Sequence, residues 1–122
     1  MKQILENIYN QLLKSYGCQG WWPFLELHNS GINPTKTGSI NGYHPNDFSF
    51  PKNKQQQFEI ILGTILTQNT SWPQVEKSLL NLQALNCLTP EKIISIEDEK
   101  IKQAIKPSGY FNQKSKSIHT VV

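Results

Sequence analysis

Residues 58–72 read FEIILGTILTQNTSW, and this stretch sets what the rest of the chain can build. Phe58, Ile61, Leu62, Ile65 and Leu66 recur at i, i+3, i+4, i+7 and i+8, which places them on one face of an α-helix. Ile60 lies off that face, so the expected helix is buried on more than one side. Gly63 falls mid-helix, where it costs about 1 kcal/mol relative to Ala. A helix accepts that cost where a neighbour must approach closely. The apolar pattern stops at Thr67-Gln68-Asn69-Thr70-Ser71. Read from composition alone, this run is an ordinary helix end. Read for chemistry, it sets hydrogen-bonding groups at the edge of a buried helix. Ser71 and Gln74 have the spacing of a capping box, with Pro73 in the first turn of a second helix. Val75, Leu79 and Leu82 give that helix a core face. The expectation is helix, tight polar turn, helix, with Trp72 at the corner.

Around this centre the chain reads as about six short helices and no convincing strand. Ile4, Ile8, Leu12, Leu13 and Tyr16 share a face, predicting a first helix over residues 2–16 that stops at Gly17. Gly20-Trp21-Trp22-Pro23 follows. The residue before a proline is biased toward extended backbone, which predicts the two rings pointing in different directions. Residues 24–57 lose periodicity through Gly31, Pro34, Gly38, Gly42, Pro45 and Pro51, and read as a loop-rich insertion. Tyr43, Phe48 and Phe50 predict that parts of it pack, and Lys52 and Lys54 are its candidate DNA contacts. His28 and His44 lack partners in a metal-ligand pattern. Thr89-Pro90 is a strong helix start, Asp98 is expected to cap a further helix, and Pro107 ends it. Ser108-Gly109 turn into a last helix carrying Ile118, Val121 and Val122.

Composition narrows the partners. The net charge is +3, and all 12 basic residues are lysines. Charged contacts to phosphate would therefore be point charges without bidentate arginine forks. Cys18 and Cys87 are far apart, which predicts free thiols in a reducing cytoplasm. The N-terminus MKQILENIYN carries Glu6 and is no signal peptide, and no run approaches the ~20 apolar residues of a membrane span. A chain of 122 residues suffices for one domain at most.

Three blocks carry a resemblance. They are Gly20-Trp21-Trp22-Pro23, the run from Gly63 to Trp72 (GTILTQNTSW), and residues 106–114 (KPSGYFNQK). In this order they resemble the endonuclease III-like DNA glycosylases of the helix-hairpin-helix superfamily, and most closely the 3-methyladenine DNA glycosylase III type. The resemblance implies an all-α helical bundle, an incomplete helix-hairpin-helix glycosylase domain, with residues 1–122 forming its N-terminal part. It implies roles for individual residues. A glycosylase must extrude its target base from the stack. Gln68 matches the family's intercalating wedge, where an amide can replace lost base-pair hydrogen bonds, and Asn69 adjoins it. Trp21, Trp22 and Pro23 resemble pocket walls, with Trp72 as the ring on the other side of the base. Stacking on such rings is worth about 1–3 kcal/mol per base.

The remaining parts of the family pattern are missing. None of the seven glycines forms a Gly-x-Gly hairpin, and neither aspartate, Asp47 or Asp98, matches the catalytic one. No hairpin lysine is present to form a Schiff base. An iron–sulfur cluster, where the full-length protein has one, would lie C-terminal to these residues, because two cysteines cannot supply four ligands. The expectation is a base excision repair glycosylase for a damaged, alkylated purine, truncated before its hairpin and inactive by itself. Its partner would be double-stranded DNA with a damaged base, its state monomeric, its location cytoplasmic, with no membrane attachment. The alternatives are a non-catalytic DNA-binding or interaction module, or a decayed gene product.

Overall fold

The computed structural model describes residues 1–18, 20–28 and 42–122. Among these the chain forms six α-helices: α1 (Lys2–Tyr16), α2 (Lys54–Leu66), α3 (Trp72–Ala84), α4 (Pro90–Ser95), α5 (Asp98–Ile105) and α6 (Phe111–Val121). Single 3-10 turns occur at Leu25–Leu27 and Lys106–Ser108, and the described residues contain no strand. The all-α expectation holds. The readings that rest on Gly31, Pro34 and Gly38 lie outside the described residues. The chain divides into two compact units, residues 1–50 and 51–122.

The second unit is built around α3, which packs against α2, α5 and the Lys106–Ser108 turn, while α6 packs against α2 and α5. Leu62, Leu66, Val75, Leu79, Leu82, Ile93, Ile101, Ile105 and Ile118 are fully buried. Burying each such side chain contributes about 1.5–3 kcal/mol before entropy is counted. Two polar side chains of α3 tie it to the end of α5. The Ser78 hydroxyl donates to the Ile105 carbonyl at 3.3 Å, and the Asn81 amide donates to Ala104 at 2.9 Å. These bonds satisfy carbonyls that a helix C-terminus leaves without intrahelical donors.

Four local readings are corrected. First, α2 begins at Lys54, inside the stretch expected to be loop up to residue 57. Asn53 Oδ1 accepts from the Gln56 N–H at 2.9 Å, and Gln56 Oε1 accepts from the Lys52 N–H at 2.6 Å. This reciprocal cap nucleates a polar first turn that has no apolar periodicity to announce it. Second, Ile61 is 43% exposed, because the buried side of α2 is turned toward Glu59 and Gly63, both buried. Third, Ser71 is the N-cap of α3 but its side chain makes no capping bond. The Gln74 N–H goes to the Ser71 carbonyl at 3.1 Å, and Pro73 has no N–H to offer. Fourth, Glu97 is the N-cap of α5, and Asp98 is its first residue. The Asp98 carboxylate serves tertiary contacts instead. Thr89, by contrast, caps α4 as expected, accepting from the Lys92 N–H at 3.4 Å.

In the first unit, α1 spans the expected residues and stops at Gly17, whose N–H reaches the Leu13 carbonyl at 2.8 Å. Its apolar face forms, but none of its residues is buried. Cys18 and residues 20–24 face residues 42–46 in antiparallel order without forming regular strands. Asn46 N–H donates to Cys18, His44 N–H to Gly20, and Phe24 N–H to Gly42. Gly20 and Gly42 make this approach possible. Both have positive φ, and a Cβ on either would stand 2.3 Å from backbone atoms of the facing segment.

Candidate nucleic-acid interface

The polar run between α2 and α3 folds into one compact turn. Thr67 N–H closes onto the Gly63 carbonyl at 2.9 Å, and Thr70 N–H reaches back to Thr67 at 3.4 Å. Asn69 takes a left-handed conformation, φ 55°, which its short amide side chain tolerates better than most. Gln68 and Asn69 are both exposed. Trp72, three residues on, is buried at 8% exposure and starts α3. The turn thus presents two amide side chains outward while its flanking residues, Leu66 and Trp72, are fixed in the interior.

A cleft of about 310 Å³ opens beside this turn. Its lining is Gln68, Asn69, Tyr110, Gln113, Lys114 and Ser117, so the end of α2 and the start of α6 share it. Tyr110 is 63% exposed and also left-handed, φ 47°, an unfavourable conformation for a bulky aromatic residue. Lys114 is different: its side chain is buried, with 5% of the residue exposed. Its ammonium donates to the Leu66 carbonyl at 2.8 Å and to the Ser108 carbonyl at 2.6 Å. Burial pulls its pKa below the ordinary lysine value. Sequence reasoning singled out Gln68 and Asn69 but not Tyr110 or Lys114. The available signal was the third block, residues 106–114, which contains both.

In the first unit, Trp21 packs against both Trp22 and the buried Tyr43. The ring centroids of Trp21 and Trp22 are 5.5 Å apart at 44°, and those of Trp21 and Tyr43 are 5.5 Å apart at 56°. The two tryptophan rings therefore converge, where divergence was expected. Tilted packing at this distance is favourable because the positive edge of one ring meets the negative face of another. Trp21 is 43% exposed, whereas Pro23 is buried. His44, Phe24 and Phe50 form a mutual cluster, with ring centroids 5.4 Å apart for Phe24–His44, 4.6 Å for His44–Phe50 and 5.4 Å for Phe24–Phe50. The His44 ring nitrogens face two carbonyl oxygens, of Trp22 at 2.8 Å and Asp47 at 3.0 Å. Residue 44 thus fastens the Trp-Trp-Pro element, and the 42–50 segment is part of that element's support. Phe48, expected to pack, is 79% exposed.

Both aspartates are engaged. Asp47 accepts from the Ser49 N–H at 2.9 Å and from its hydroxyl at 2.5 Å. Asp98 pairs with Lys102 at 2.7 Å, accepts from the Ser115 hydroxyl, and meets His119 at 3.2 Å. Those contacts, led by the Lys102 bond, lower its pKa below the ordinary aspartate value. Cys18 and Cys87 are free thiols. An iron–sulfur cluster of the four-cysteine kind does not fit a chain with two cysteines. Among the described residues no three His, Cys, Asp or Glu side chains converge as a metal site. No helix of the described residues is long and apolar enough to cross a membrane.

The family profile described as HhH-GPD superfamily base excision DNA repair protein matches residues 62–122, which include the turn, the cleft and Lys114. The chain belongs to this superfamily. It is 30% identical over 119 residues to a Methanocaldococcus jannaschii protein provisionally named a DNA repair glycosylase, covering 98% of this chain and 40% of that protein. It is 29% identical over 73 residues to endonuclease III homolog 2, chloroplastic, of Arabidopsis thaliana, covering 60% of this chain and 19% of the plant protein. The chain thus spans well under half the length of these relatives. No solved structure matches it.

Proposed function

We propose that residues 1–122 form the lesion-recognition part of a DNA glycosylase that hydrolyses the N-glycosidic bond of an alkylated purine. The observation that carries this reading is the exposed Gln68–Asn69 turn, held between two buried helix ends inside the stretch matched by the superfamily. In this reading Gln68 enters the duplex where the damaged base leaves it. Trp21 and Trp22, with Pro23 after them, receive the base, and Trp72, buried at the start of α3, supports the wedge turn from within its own unit. A cationic alkylated purine suits electron-rich rings, since cation–π attraction adds to stacking. A charged base is also a good leaving group, so modest electrostatic help is enough to release it.

The chain's two aspartates are committed to Ser49 and to Lys102, Ser115 and His119. In this reading the carboxylate that stabilises the sugar cation is neither of these, and 1–122 alone recognises without excising. The test is fluorescence anisotropy with a duplex carrying a tetrahydrofuran abasic analogue. Tighter, salt-dependent binding of this duplex than of an undamaged one supports the reading, and Gln68→Ala should remove the preference. Equal affinity for both duplexes would overturn it. Base release by purified 1–122 would overturn the division of labour.

A further inference from the structure

We propose that Lys114 is a positioning residue for the Gln68–Asn69 turn, its buried ammonium locking the end of α2 to the turn that carries Tyr110. This deepens the proposed function and rests on that reading. Leu66 is the last residue of α2, and Gln68 follows two positions later. Ser108 is the last residue of the 3-10 turn, and Tyr110 follows two positions later. A single ammonium bonds both carbonyls, at 2.8 Å and 2.6 Å. The two exposed side chains that flank the cleft, Gln68 and Tyr110, thus hang from one shared anchor at equal sequence distance.

The chemistry of the anchor favours this role over packing alone. The last carbonyls of a helix have no intrahelical donor, and the C-terminal end of the helix dipole attracts a cation. A lysine on another helix that meets this need fixes α6 to α2 in both distance and direction. Burying an ammonium is unfavourable, and an apolar side chain of similar length fills such space more cheaply. The charge is useful if the spacing between the two turns matters. A side chain inserted into DNA has to be held in register by its neighbours, because a small misplacement loses most of its effect.

The test uses the 122-residue chain and the variants Lys114→Met and Lys114→Arg, with Lys114→Gln as a milder replacement should Met not fold. Amide hydrogen exchange is measured first, without DNA. In Lys114→Met or Lys114→Gln the amides of Thr67 and Thr70 should exchange faster, while those of Leu79 and Leu82 in α3 keep their protection. Unchanged exchange at Thr67 and Thr70, or equal acceleration throughout 51–122, would overturn the proposal. Binding to abasic and undamaged duplexes is measured next. The abasic preference should fall by about 10-fold, the low end of what losing a supporting contact does. Arg should restore much of it. Adding Lys114→Met to Gln68→Ala should change little further, since both remove one wedge. Independent, multiplying losses would overturn the positioning role. A wild-type chain that does not distinguish the duplexes would instead sink the functional reading, while the exchange data still decide whether Lys114 holds the turns.

Discussion

The two units fix their exposed surfaces by different means. In residues 51–122, the Gln68 turn is carried by buried helices, and a cation reaches in from α6 to hold the helix end. In residues 1–50, besides α1, the described backbone on either side of the Trp21–Trp22 element contains one 3-10 turn and no strand. Among the described residues the element's support includes three backbone hydrogen bonds, two glycines without room for a Cβ, and a mutual cluster of the Phe24, His44 and Phe50 rings. The first arrangement spreads stability over many side chains. The second depends on a close backbone approach, so a substitution at Gly20 or Gly42 should be far more damaging than one on a helix surface.

The largest expected effect follows directly. Gly42→Ala places a methyl group 2.3 Å from the Phe24 carbonyl oxygen at a positive φ. Overpacking costs about 1–3 kcal/mol and left-handed backbone about 1–2 kcal/mol more. The amides of Phe24, His44 and Asn46 should lose their exchange protection, while those of α3 and α5 keep it. If protection is lost in both units together, the contrast between close-approach and distributed support fails. Protection retained at Phe24 would mean that the close approach is not what holds the element.

The contrast also explains what the sequence disclosed. Helical periodicity together with cap and turn signals made the starts of α1, α3, α4 and α6 legible within a residue or two, although α1 buries none of its residues. Gln68 and Asn69 stand out because a polar run ends a strongly apolar helix, while the wedge role proposed for Gln68 comes from the family resemblance. The support of both surfaces was not legible. Nothing in the spacing of Lys114 says that its ammonium will find Leu66, 48 positions away. His44 reads as an isolated histidine until Trp22 and Asp47 are seen to bring their carbonyls to it. The α1 face shows the converse: periodicity predicted an apolar stripe and could not say whether anything in these residues would cover it.

A middle-sized effect tests the distributed support. Asp98 joins the start of α5 to Ser115 and His119 of α6, with Lys102 as its strongest partner. Its pKa is lowered in the fold, so its contribution is present above the ordinary value of 3.8 and is lost as pH falls through the lower folded value. The carboxylate is 43% exposed, so solvent screening keeps the effect modest. Thermal unfolding followed by circular dichroism should show the melting temperature falling more steeply below about pH 4 in the wild type than in Asp98→Asn. Parallel curves for the two proteins would show that the contact contributes nothing to the α5–α6 pairing.

The smallest effect separates two caps that look alike on paper. Asn53 and Ser71 both precede a helix with Gln three residues later, but only Ser71 reads as a capping box, because Asn53 falls in the stretch expected to be loop. Only Asn53 makes the side-chain bond, at 2.9 Å to Gln56. The Ser71 hydroxyl makes none, because Gln74 N–H is taken by the Ser71 carbonyl and Pro73 has no N–H. Asn53→Ala should therefore destabilise the second unit by about 1 kcal/mol. Ser71→Ala should stay within about 0.5 kcal/mol of wild type, as surface changes without a partner do. Urea midpoints at constant slope measure both. A loss at Ser71 equal to that at Asn53 would mean that the serine caps α3 in solution, and the turn carrying Gln68 would then be fixed from its α3 side as well as through Lys114.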